Sequence, residues 1–153
     1  MDDFKKLVET HYKRNSSETI SNGSVKHAKV LVEYLFRLAE EKGKNVSIVT
    51  GSLEKSFYET FTEAIEKILK NNTVSIISEN AWDDSSFASA IKKSEKGFIK
   101  IFKPNEEIQS PPHFILVGNS AYRLETDDKL KIATASFNRP AIGEFLELIF
   151  KEL

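Results

Sequence analysis

A chain of 153 residues is one domain's worth of sequence, able to bury roughly two-thirds of the surface its unfolded form exposes. With 40% apolar and 29% charged residues, and 22 Lys plus Arg against 23 Asp plus Glu for a net charge of −1, the composition is globular and carries no chain-wide field to draw in nucleic acid or an acidic membrane. Zero cysteines exclude a disulfide framework, a thiolate nucleophile and any zinc site that needs sulfur, and fit a reducing, cytoplasmic setting.

The acidic start Met1-Asp2-Asp3 does not read as a signal peptide, and no run of 18 apolar residues follows it, so no membrane partner is expected. Residues 3 to 14 place Phe4, Leu7, Val8 and His11 at helical spacing, then break at Asn15-Ser16-Ser17 and Ser21-Asn22-Gly23-Ser24. This predicts a short, loosely attached helix and linker over 1–23, ahead of a domain over 24–153. Ser24 caps a long helix with Ala28, Leu31, Leu35, Leu38 and Ala39 as its apolar stripe, and Lys42-Gly43-Lys44 stops it. Val46 to Thr50 reads as a strand, Leu53 to Leu69 as a helix with Phe57, Phe61, Ile65 and Ile68 in register, and Val74 to Ser78 as a second strand. A shorter helix over Ser85 to Lys93 and a third strand over Gly97 to Phe102 complete a βαβαβ unit, which demands a parallel sheet.

The pattern changes after Pro104. His113 to Val117 and Ala121 to Glu125 flank Gly118-Asn119, and Leu130 to Phe137 alternates after the turn Thr126-Asp127-Asp128, so antiparallel hairpins are expected. Pro140 opens a closing helix with Ile142, Phe145, Leu146 and Ile149 facing inward. The fold expected is a single-domain α/β mixed sheet, half parallel and half antiparallel hairpins, flanked by helices.

The phosphate-loop pattern, G-x-G-x-x-G, H-E-x-x-H and G-x-S-x-G are all absent, so neither a nucleotide cofactor nor a metal is expected. What stands out is His113 opening a strand, with Ser136 and Asn138 two apart near the end of a later one. These, with Pro111-Pro112 before the histidine and Ala135-Ser136-Phe137-Asn138 running into a helix, resemble the phospholipase D-like superfamily, whose motif is H-x-K, an acidic residue and G-S-x-N. The resemblance implies a metal-independent phosphodiesterase or nuclease chemistry in which a histidine attacks phosphorus while lysine, serine and asparagine hold the phosphate oxygens. From about residue 25 the chain is also similar to stand-alone bacterial proteins of this superfamily, with a His27-Ala28 helix start and a Tyr122-Arg123-Leu124-Glu125 strand. One motif per chain implies a half-site completed in a homodimer.

The sequence departs from that motif. Ile115 stands where the lysine belongs, Ala135 replaces the glycine, and the acidic residue has no clear equivalent. Loss of a positioned cation costs about 3–4 kcal/mol of transition-state stabilisation, so little or no hydrolysis is expected. A degenerate domain that binds phosphate or nucleic acid, or serves as an assembly subunit with a protein partner, is the leading expectation; a hydrolase with a site rebuilt at a homodimer interface is the alternative.

His27, Arg123 and Glu125 are candidate ligand-binding residues. A two-residue turn after Val117 would put Tyr122 and Leu124 on the face of His113 and Ile115, and leave Arg123 on the other as a solvated ion pair with Glu125; an odd loop length would reverse this and make Arg123 a replacement cation. His27 could pair with His113 as an acid/base couple, or simply sit buried at its helix start. Ser136 and Asn138 could cap the closing helix, and His113 could bond a neighbouring backbone. Lys92, Lys93, Lys96, Lys100 and Lys103, with Phe98 and Phe102 between them, could follow a nucleic-acid backbone, or be solvated lysines beside an edge strand. Trp82, on a connection, reads as a lid or an interface anchor. Eleven phenylalanines are more than a small sheet easily buries, so an apolar patch is expected.

Overall fold

The computed structural model describes residues 2–127 and 132–153. Val-Ser-Ile-Val-Thr and Val-Ser-Ile-Ile-Ser are short, β-branched runs that suit a strand covered on both faces, and they form the adjacent interior strands β2 (Val46–Thr50) and β3 (Val74–Ser78). With β1 (Ile20–Asn22), β4 (Gly97–Ile101), β5 (Phe114–Val117), β6 (Ala121–Asp127) and β7 (Ile132–Ser136), the described residues make one sheet in the order β1-β7-β6-β5-β2-β3-β4. β2, β3 and β4 are parallel, and every other pairing is antiparallel.

Helices α1 (Asp2–Arg14), α2 (Val25–Lys42), α4 (Thr62–Leu69) and α5 (Ser86–Lys93) cover one face, over a core that includes Leu31, Leu35, Phe36, Ile48, Ile65, Ile76, Phe87 and Ile91. Ser24 caps α2 by accepting the His27 N–H, and Gly43, at φ 64°, ends it in the left-handed region where glycine carries no side-chain penalty. Helix α6 (Pro140–Glu152) covers the other face, with Leu146 against Val49, Phe114, Leu116 and Tyr122.

Four expectations are corrected. The segment before residue 24 is not an appendage: β1 pairs with β7, and Val8 of α1 is buried in the main core. The helix expected over 53–69 is broken into α3 (Lys55–Tyr58), a 3-10 turn (Glu59–Phe61) and α4; the Thr62 hydroxyl takes the Glu59 carbonyl, and the Glu59 carboxylate accepts the Ser86 N–H at the start of α5, which pulls this turn out of the α ladder. Phe145 faces solvent, because α6 approaches the β5–β6 turn through Gly143, where a Cβ would lie 2.0 Å from the Asn119 carbonyl oxygen. The expected turn at 126–128 and the start of its strand lie in part outside the described residues. Of the eleven phenylalanines, only Phe98 and Phe145 are exposed, so the apolar surface is smaller than composition suggests.

Candidate functional site

Parallel strands β2 and β3 end together, bringing Thr50-Gly51 and Ser78-Glu79 to one end of the sheet; β5 runs the opposite way and starts there, so His113 arrives beside them. The ends of parallel strands beside a change of direction are where open α/β sheets place their ligands. The β5–β6 hairpin returns Arg123 and Glu125 to the same place, and β1 adds Asn22.

These side chains form a connected chain of contacts. His113 Nε2 meets Glu79 Oε1, and its Nδ1 lies 3.6 Å from Glu125 Oε2. Glu125 Oε1 accepts from Arg123 Nη1 at 3.1 Å, and Arg123 Nε donates to Asn22 Oδ1 at 3.2 Å. Glu79 is held from its other side by the Ser110 hydroxyl at 3.2 Å and through its own backbone N–H on the Thr50 carbonyl. The ring of His113 lies over Gly51, where an added Cβ would sit 3.1 Å from Cε1. His113 and Arg123 are buried, the Glu125 side chain is only 9% exposed, and Glu79, 23% exposed, is the side of the cluster that reaches solvent. The buried Tyr58 hydroxyl has its pKa pushed up to about 12, first by burial and further by the Glu125 charge; its Thr50 hydrogen bond and Arg123 act the other way. Tyr58 is thus a neutral phenol at physiological pH.

The sequence candidates divide sharply. His113, Arg123 and Glu125 come together. Arg123 is on the face of Ile115 and directly opposite it, because the turn over residues 118–120 has three residues, with Val117 paired to Ala121. The expectation of a solvated Arg123–Glu125 pair is therefore corrected: the pair is intact but buried. Ser136 and Asn138 do not join. β7 runs antiparallel to β6, and Ser136 pairs with Tyr122, itself opposite Leu116, about 10 Å along the strands from His113 at ~3.3 Å per residue. Ser136 Oγ accepts from the Asn138 N–H and donates to the Ser16 carbonyl, and neither side chain caps α6, whose N-cap position is Arg139.

His27 stacks on Phe4 with ring centroids 3.9 Å apart, and no hydrogen bond or ion pair joins it to His113. Trp82 packs half-buried against the core under the Lys92 ammonium. Three residues of the cluster were missed: Glu79, Asn22 and Tyr58. A carboxylate immediately after a strand of a βαβ unit was a usable signal for Glu79; Asn22 lay in a segment that reads as a break.

Chemically, among the described residues the contacts named above set two carboxylates against one guanidinium and one imidazole. Ile115, at the place of the motif lysine, is 3% exposed in the core. Among the described residues no group of three or more His, Asp or Glu side chains is disposed to hold a metal ion, and no helix is long and apolar enough to cross a membrane.

No family model matches the chain, and no curated protein sequence matches it. Among solved structures it is similar to the polyphosphate kinase of Porphyromonas gingivalis, with a TM-score of 0.50 at 13% identity. The likeness covers 87% of this chain and 22% of that one. It shows a shared α/β fold, and the chain spans about a fifth of the kinase's length.

Proposed function

We propose that this chain is a degenerate phospholipase D-like domain that has left phosphodiester chemistry and works as a binding or assembly subunit. The observation that carries the reading is the bracketing of His113 by Glu79 and Glu125. Attack on phosphorus needs a ring nitrogen with its lone pair turned to the substrate, and here each nitrogen faces a carboxylate. A phosphodiester drawn to the ring would also meet both carboxylates; at 4 Å each contact costs ~1 kcal/mol in water and ~4 kcal/mol at an effective dielectric constant of 20. The likeness to a polyphosphate kinase supports a phosphate-class ancestry for the fold, while the charges beside His113 argue against a phosphate ligand there.

One observation favours the second reading, a hydrolase whose site is rebuilt across a homodimer. Arg123 stands directly opposite Ile115, so a cation is next to the place of the missing lysine. Its guanidinium is engaged by Glu125 and Asn22, which favours a structural role. Metal-free assays on a generic phosphodiester and on single- and double-stranded nucleic acid decide between them. No turnover above the blank is expected. Robust hydrolysis that disappears in both His113→Ala and Arg123→Lys would replace the first reading with the second.

A further inference from the structure

Among the described residues β4 is one of the two outer strands of the sheet, with β1 at the other edge. The Val74 N–H donates to the Lys96 carbonyl, and the Phe102 N–H donates to the Ser78 carbonyl, so the even-numbered residues of this stretch turn their backbone groups toward β3. Strand geometry then turns the N–H and C=O groups of Ile99 and Ile101 outward, along the open edge, while the Gly97 N–H is taken by the Ser94 carbonyl. The side chains there are unusual for an unprotected edge. Phe98 is 55% exposed and Ile101 41% exposed, on opposite faces of the strand. Beside Phe98, an open groove of roughly 760 Å³ runs over Ile77 toward Phe150 of α6 and Leu153, which follows it.

We propose that the free edge of β4 accepts an extended, acidic segment of a partner protein as an added strand. Main-chain hydrogen bonds to Ile99 and Ile101 supply the affinity in this mode, and alternate side chains supply the selectivity. Between residues 92 and 103 the chain carries five lysines and one acidic residue, Glu95. Lys100 shares the face of Phe98, and Lys96 immediately precedes the strand, so a segment with carboxylates alternating around an apolar residue matches that face. The same lysines oppose a second copy, since edge-to-edge pairing would bring two equal lysine sets together. Nucleic acid would use the charges and Phe98 but has no need of the outward backbone groups. The inference does not rest on the His113 reading, because that cluster is built on β5, β6 and β1 and on the residue after β3.

The test uses a labelled peptide of about ten residues alternating Glu with Val, a Lys-for-Glu control, and an oligothymidylate, each titrated by fluorescence anisotropy. The variant is Ile101→Pro, which removes an outward N–H and leaves the ladder to β3 in place, as proline at a sheet edge can. The Glu peptide binds, more weakly as salt rises; Ile101→Pro lowers its affinity about tenfold or more without shifting the unfolding midpoint, and Lys100→Glu lowers it too. Hydrogen exchange on the unaltered chain gives the same answer without a variant: the Ile99 and Ile101 amides gain protection when peptide is added. No saturable binding of the Glu peptide, binding indifferent to Ile101→Pro with no new amide protection, tighter binding of oligothymidylate that survives Ile101→Pro, or a dimer that Ile101→Pro converts to monomer each overturns the proposal.

Discussion

Replacing Arg123 by methionine tests whether the buried cluster is held by its charges. The Arg123 side chain is 4% exposed and that of Glu125 9% exposed, with Nη1 3.1 Å from Oε1. Methionine has similar length and bulk, so packing is largely preserved and the effect isolates charge. The change leaves the Glu125 carboxylate buried without its guanidinium, with His113 at 3.6 Å, and removes a donor from Asn22. Stranding one member of a buried pair costs about 3–5 kcal/mol. For a domain of this size that is a fall of roughly 6–20 °C in the melting midpoint, or a urea midpoint lower by about 2 M if the slope is near 2 kcal/mol/M. The double variant Arg123→Met/Glu125→Leu removes both charges and recovers at least about 2 kcal/mol of that loss, because well-packed apolar pairs often match buried ion pairs. Urea unfolding followed by circular dichroism measures all four corners of the cycle. A single variant within about 1 kcal/mol of the parent, or a double variant equal to the sum of the singles, would refute the electrostatic account of the site.

Tyr58 gives a pH signature. Its folded pKa is raised from 10.0 to about 12, so its contribution is complete below pH 10 and is lost as pH rises from 10 toward 12; at ~1.4 kcal/mol per unit the loss approaches 3 kcal/mol, and Tyr58→Phe flattens the alkaline limb of stability against pH. Burial also raises Tyr12 and Tyr122, so Tyr58→Phe reduces that limb without abolishing it; an unchanged limb would place the phenol in water. Gly143→Ala puts a Cβ 2.0 Å from the Asn119 carbonyl oxygen, and overpacking against backbone lowers stability by about 1–3 kcal/mol or more, read as a lower melting temperature; an unchanged midpoint would mean that α6 does not approach the turn this closely. Self-association, which the one-motif resemblance implies, is tested by sedimentation at micromolar concentration: the two-fold reading expects a dimer weakened by Phe145→Ser/Leu148→Ser on the exposed side of α6, and a strictly monomeric species removes any composite site.

The helical stripe from Ser24 to Lys42 and the two runs Val46–Thr50 and Val74–Ser78 are legible in the sequence alone, because hydrophobic period, N-cap and glycine stop are local signals that short stretches carry by themselves. His113, Arg123 and Glu125 are legible as residue types worth noticing for the same reason. Their assembly is not. Whether Arg123 stands beside Ile115 or behind it depends on whether the turn after Val117 has two residues or three, and one residue reverses every side chain of the strand that follows. Ser136 and Asn138 look adjacent to the site on paper, yet strand direction carries them to the far end of the sheet. Ile20 to Asn22 has too few residues to show any period and becomes a strand only because β7, far along the chain, offers it an edge. Glu79 acquires its partner in the same way: the β2–β3 crossover is legible as a βαβ pattern, but the antiparallel docking of β5 on the other side of β2, which brings His113 to Glu79, closes a long loop of chain and leaves no trace in local pattern.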